Sequence, residues 1–427
     1  MKKILGLGLL AGAASLTGCA EKELLPPEFE PNLVFARGIE YRDDIPMEEP
    51  LSKTQVYLDE LFGTPDAPKL PDFISEDEEL ASLVSLEILK KAAGPVTEST
   101  GLYRRHQCHT CHGITGNGRG KLAATLATYP RDYRMGLFKF KSTEGSDKPL
   151  REDLRRVIWD GIVGTGMTKV PDMKEEDLDP LIDYVIYLSW RGQLERNILY
   201  MNEDVYLELD EDATEEDIAD AEAEAKDLIE ELTIEIAEDW LYAEDGLFDV
   251  PERPEFPVPD TIADVVAAAE GSELAESIKQ GKEVFGSEIA GCTKCHGPEG
   301  YGNGQNKDYD NWAHDWTTKM GLNPADEDSL IPFIARGALP PKFIDPRDFR
   351  QGVFRGGEQP EDIFRRIACG IAGTPMPAAK NLSDDQKWHL VNYVRSLALP
   401  EEDADSASTP QAGDAESRGG DAESAAD

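Results

Sequence analysis

The feature that most constrains this chain is that a quarter of it is written twice. Cys108-His109-Thr110-Cys111-His112-Gly113 is answered by Cys292-Thr293-Lys294-Cys295-His296-Gly297. Pro130-Arg131-Asp132-Tyr133-Arg134 is answered by Pro346-Arg347-Asp348-Phe349-Arg350, and Glu152-Asp153-Leu154 by Glu361-Asp362-Ile363. A glycine-rich stretch, Gly161-Ile162-Val163-Gly164-Thr165-Gly166-Met167, returns as Gly370-Ile371-Ala372-Gly373-Thr374-Pro375-Met376. The offset is 184 at the first motif, 216 at the second and 209 from the third onward, so the second copy carries an insertion, 305–345. Four motifs in one order mean two copies of one domain, over 98–192 and 271–400. A unit of that length buries one modest core and gains from a bound group.

Cys-x-x-Cys-His is the haem attachment pattern. Two thiols three residues apart on a helical turn reach the two vinyl groups of one porphyrin, and the next residue offers an imidazole to the iron. Cys108, Cys111, Cys292 and Cys295 are thus the expected thioether positions, with His112 and His296 as proximal ligands. A zinc ribbon needs two Cys-x-x-Cys pairs about 15–20 residues apart, whereas these lie 184 apart. A thioredoxin-type pair needs no following His and sits in a βαβ context. Neighbours three apart would also make a strained disulfide.

Methionine is the expected sixth ligand. Met167 and Met376 are the methionines that match between the copies, each in a Gly-rich loop. Met173 aligns with Leu382, Met135 with Gln351, and Met320 falls in the insertion, where His314 is the rival to Met376. Pro375 and Pro377 flank Met376, while Gly166 and Thr168 flank Met167, which predicts a softer first loop. Arg131 and Arg347 have two readings: each neutralises a haem propionate, or pairs with Asp132 or Asp348. Cys369 aligns with Asp160 and reads as a free thiol.

The segments outside the repeat differ in kind. Met1-Lys2-Lys3 and the apolar run to Leu16 read as a signal peptide over 1–18. Leu16-Thr17-Gly18-Cys19 resembles the bacterial lipobox, which makes Cys19 the lipid attachment site. Residues 19–97 are Pro-rich and acidic and read as an extended tether with short helical pieces near 52–62 and 76–92, able to wrap on the first domain. In the connector 193–270, apolar residues at Ile218, Ala221, Ala225, Leu228, Leu232, Ile236 and Trp240 predict a long amphipathic helix starting near Thr214, followed by a Pro linker. Residues 401–427 lack large apolar side chains and read as a disordered acidic tail. Ser383 to Gln386 is a capping box for the last helix. With 43 basic against 85 acidic residues, the formal charge of −42 argues against nucleic-acid partners.

Each repeat resembles a class I c-type cytochrome, and the whole is similar to a dihaem bacterial cytochrome c lipoprotein. The Cys-x-x-Cys-His-Gly starts, the glycines after them (Gly116, Gly118, Gly120; Gly300, Gly302, Gly304) and Gly373-Thr374-Pro375-Met376-Pro377 carry the resemblance. It implies an all-α fold of two tandem domains and two covalently bound haem c groups. The expected role is single-electron carriage between extracytoplasmic redox proteins with basic docking surfaces, from a lipid anchor on the periplasmic side of a bacterial membrane. Iron with two axial ligands has no open position, so no catalysis is expected. The alternatives are a dihaem cytochrome c peroxidase, or a cytochrome subunit of a larger dehydrogenase or oxidase.

Overall fold

The structure, a computed structural model, describes residues 27–206 and 213–399. The expected signal peptide, Cys19 and the acidic tail lie outside the described residues. The fold is all-α. Among the described residues, extended pairing is confined to two short antiparallel ladders, Gly63–Thr64 with Ala67–Pro68 and Asp308–Tyr309 with Phe343–Ile344, and two isolated bridges. Among the same residues no helix is long and apolar enough to cross a membrane.

The first domain is built on the helix Leu178–Tyr200. Leu181, Tyr184, Val185 and Leu188 recur along it at helical spacing. Those four are buried, and so are Ile182, Ile186, Tyr187, Trp190, Leu194 and Ile198 around the rest of the helix. A helix hydrophobic on all sides has to be covered on all sides, and two segments from outside the repeat supply the cover.

The first is the supposed tether. From residue 27 it is folded rather than extended, with helices Leu33–Asp43, Glu48–Phe62 and Leu86–Ala92. Its prolines fall between these helices (Pro46, Pro65, Pro68, Pro71) or in the first turn, at Pro50, where a missing N–H costs little. Leu58, Phe62 and Leu89 are fully buried. Phe62 meets Trp190 edge-on at 5.4 Å, and Tyr187 Oη donates to the Phe62 carbonyl.

The second cover is the acidic helix Glu215–Leu241, whose start Thr214 caps reciprocally with Asp217. Ala225, Ile229, Leu232, Ile236 and Trp240 are buried, and Trp190 Nε1 donates to the Thr233 carbonyl at 2.9 Å. The apolar face predicted for this helix starts to pack only at Ala225, because Ile218, two turns earlier, remains exposed.

The second domain packs Glu273–Phe285 against Asp384–Ser396, with Phe285, Phe364, Trp388 and Val391 in its core. Ser383 and Gln386 cap the last helix reciprocally. The insertion 305–345 leaves this domain and settles on the other. Trp316, Leu322, Leu330 and Phe333 cluster with Val34. Arg196 of the long helix grips Asp315 with two bonds of 2.9 Å. The insertion therefore straps the second domain onto the first.

Candidate functional site

Both Cys-x-x-Cys-His segments form the same single helical turn, Cys108 to His112 and Cys292 to His296, closed by amides of the glycine-rich stretch that follows. Gly118 N bonds the His112 carbonyl at 2.9 Å and Gly120 N the Cys111 carbonyl at 3.0 Å. Gly302 and Gly304 repeat both contacts on His296 and Cys295 at 2.9 and 3.0 Å. The approach is closest at Gly120 and Gly304, where a Cβ would lie 2.4 Å from backbone atoms of Thr110 and Lys294 respectively. Gly120→Ala is expected to push this turn off its support, at a cost of about 1–3 kcal/mol. Haem-stained yield should fall well below wild type at equal expression, and normal haem loading would contradict the close-approach argument.

Each histidine is held in one orientation. His112 Nδ1 donates to the Arg131 carbonyl at 3.1 Å and His296 Nδ1 to the Arg347 carbonyl at 3.2 Å. This leaves Nε2 as the free lone pair, the outer-shell arrangement that fixes a metal-binding tautomer. Burial pushes the His112 imidazole down to about 4, and lowers His296 as well. Both rings are therefore neutral at physiological pH, as a ligand must be.

The same aromatic position of each repeat supports the ring. Tyr133 stacks on His112 at 4.8 Å and Phe349 on His296 at 4.7 Å. These two residues were within the aligned Pro-Arg-Asp-aromatic segment, but sequence reasoning assigned that segment's function to its arginine. The shared aromatic was the available clue.

The two methionine loops are closed identically. Ile162 N bonds the Met167 carbonyl at 2.6 Å, and Ile371 N the Met376 carbonyl at 3.1 Å. Thr165 Oγ1 accepts from Met167 N at 3.1 Å and donates to the Ile162 carbonyl at 2.8 Å, while Thr374 does the same at 3.2 and 2.8 Å. The prolines around Met376 are thus not what shapes the loop. A threonine common to both copies closes each loop in the same way.

All four cysteines, both histidines and both methionines line one continuous cavity of about 1430 Å³ running between the two domains, larger than the roughly 300–1,000 Å³ of a single small-molecule pocket. Burial pushes the Cys108 thiol up to about 12 and Cys292 to about 11. Thioether formation removes the proton of such thiols altogether. Among the described residues no three His, Cys, Asp or Glu side chains gather as a metal site. Free thiols, imidazoles with Nε2 unengaged, and thioethers around one mainly apolar cavity do fit covalently held haem.

Three of the other four histidines are hydrogen-bonded to side chains, and the fourth, His109, is outside the cavity wall with Nδ1 buried and unpartnered. His314 bonds Asp308 at 3.0 Å and Thr318 at 2.7 Å, outside the cavity wall. His106 is tied to Asp177 at 3.0 Å and His389 to Ser277 at 2.8 Å. The pairing of Arg131 with Asp132, or Arg347 with Asp348, does not occur. Asp132 is chelated by Arg134 at 2.9 and 2.8 Å, and Asp348 by Arg350 at 2.9 and 2.6 Å. Arg131 and Arg347 instead line the cavity. Cys369 is half-buried and is not in the cavity wall.

Comparison with known proteins meets this geometry at both ends. Residues 278–398 match the family model described as cytochrome c. Residues 94–185 match that described as cytochrome C oxidase, cbb3-type, subunit III. Among solved structures, the chain is similar to one of the Kuenenia stuttgartiensis reducing HAO-like protein complex. The identity is 24%, over 74% of this chain and 97% of that one, with a TM-score of 0.44. No curated protein matches.

Proposed function

We propose, on the premise that the chain is a c-type cytochrome of two domains, that it carries single electrons between extracytoplasmic redox proteins through two haem c groups. The observation that carries this reading is the duplicated donor set, His112 with Met167 and His296 with Met376, around one shared cavity. Haem, when bound, supplies a one-electron Fe(III)/Fe(II) couple whose potential Met/His ligation raises. The chain's own residues attach it (Cys108, Cys111, Cys292, Cys295), orient the proximal rings through the Arg131 and Arg347 carbonyls, and hold the methionines through Thr165 and Thr374. His112 with Met167, and His296 with Met376, would hold a bound haem iron from both sides and leave no place for a substrate, so no peroxidase or other catalytic step is assigned.

Cys19 would carry the lipid that keeps the protein at a bacterial membrane, on its periplasmic side. The excess of acidic residues favours partners with basic docking faces, whose association should weaken as salt rises. The decisive experiment is a pyridine haemochrome count with reductive titration of the purified protein. Two haems per chain, each taking one electron, are expected. A single haem, a high-spin fraction in the oxidised spectrum or turnover of peroxide would overturn the carrier reading.

A further inference from the structure

The shared cavity carries four basic side chains whose placement is itself duplicated. Arg131 and Lys139 come from the first domain, Arg347 and Arg355 from the second, and both pairs are related by the offset of 216. All four line the cavity. The arginines cross over. The Arg131 guanidinium lies against Gly373 in the Met376 loop, where a Cβ would be 3.1 Å from Nη1. Arg347 lies against Gly164 in the Met167 loop, where the same distance is 3.4 Å. Arg355 Nη2 donates to the Gly164 carbonyl at 3.0 Å. Each domain's methionine loop is therefore met by cations of the other domain.

These cations lack anions. Among the described residues none of the four makes an ion pair, and Arg347 Nη1 is buried with no acceptor. This occurs in a chain whose acidic residues outnumber its basic ones 85 to 43, so carboxylates are not scarce. The neighbouring ones are committed: Asp132 to Arg134, Asp348 to Arg350. Asp310 is the nearby carboxylate that acts on both Arg131 and Lys139. Burial, then the charges of Arg131 and Arg355, push the Lys139 ammonium down to about 7 against the pull of Asp310. Grouping cations away from water is costly unless anions join them. Guanidinium groups bind carboxylates two-pronged and strongly.

We infer that Arg131, Lys139, Arg347 and Arg355 form one carboxylate-binding cluster shared by the two haem sites, with each arginine serving the site of the opposite domain. The inference rests on the two-haem reading above. Its ligands are the propionate carboxylates, a pair on each haem. The sequence reading gave Arg131 and Arg347 a haem propionate each without saying of which domain; the cluster adds Lys139 and Arg355 and assigns the arginines across the domains. It also ties the two redox centres together, because a charge removed on one side is felt on both.

The test is a spectroelectrochemical titration of the holoprotein in phosphate-free buffer. The variants are Arg131→Gln, Arg355→Gln and the milder Lys139→Gln, with exposed Lys90→Gln as control. Losing a positive charge favours the oxidised iron, so each cluster variant is expected to lower both midpoint potentials. The expected shift is roughly tenfold in the redox equilibrium, about 59 mV for one electron. Shifts confined to one haem, or no larger than those of Lys90→Gln, overturn the proposal. Potentials of the wild type that respond to added inorganic phosphate overturn it too, since the cluster would then take a diffusible anion. The haemochrome count is read on the same samples. Fewer than two haems in the wild type defeats the function reading, whereas two haems with unmoved potentials defeat the shared cluster alone.

Discussion

Met376→Ala is expected to remove one of two sulfur-to-iron charge-transfer bands from the near-infrared spectrum of the oxidised protein, and Met167→Ala the other. Each should leave one haem low-spin and make its partner high-spin or water-ligated, with a fall in that haem's potential. The loop backbone should survive either change, since it is closed by main-chain and threonine bonds that do not involve the thioether. Both methionines are half-buried, so the stability cost is about 2 kcal/mol or less. The two variants should also behave alike. Proline flanks only Met376, but the hydrogen-bond pattern is common to both loops. Retention of both bands in Met167→Ala would remove that methionine from the ligand set, whereas a wild-type spectrum with a single band would return one haem to the peroxidase alternative.

Glu195→Ala should cost about 3–5 kcal/mol, the usual penalty for leaving one half of a buried ion pair. Glu195 is fully buried on the long helix. Its Oε1 accepts from Asn32 N at 2.7 Å and Gln55 Nε2 at 2.8 Å, and Arg191 faces it at 3.6 Å. The substitution leaves the almost fully buried Arg191 with only Gln55 Oε1 at 3.1 Å and the exposed Asp59 at 4.0 Å, and unties the N-terminal segment at two points. Denaturant unfolding should show the loss, and limited proteolysis should cut within 27–62 sooner than in wild type. Glu195→Gln, which keeps the acceptor oxygen, should lose less. A cost below about 1 kcal/mol would mean the N-terminal helices are held by their apolar contacts alone.

Much of the site was legible in the sequence because it is a local pattern. Attachment cysteines and proximal histidine fall within one helical turn, and the methionine lies in a loop marked by glycine. Duplication then separated the candidates: Met173, which also lines the cavity, aligns with a leucine and packs at the edge of the core, whereas Met167 and Met376 match each other. The tether was read less well. The helical pieces near 52–62 and 76–92 and their wrapping on the first domain are found, but proline density hid the helix Leu33–Asp43, since proline forbids only helix interiors and the helices fit around the prolines. The unbroken run Tyr184-Val185-Ile186-Tyr187-Leu188, which is apolar over more than a full turn, was the neglected sign that something must cover this helix.

What the sequence determined by itself is the fold class, the two-domain order and the duplicated Cys-x-x-Cys-His and methionine positions from which the donor set is proposed, since backbone periodicity and short-range spacing set all three. What only the tertiary structure decided is how the copies face each other. The insertion straps the second domain to the first through Arg196 and Asp315, and the ligand loops meet across one cavity. The partners of Arg131 and Arg347 follow from that meeting. Spacing along the chain says which residues share a turn, but charges separated by more than two hundred positions find each other only once packing has brought their domains together.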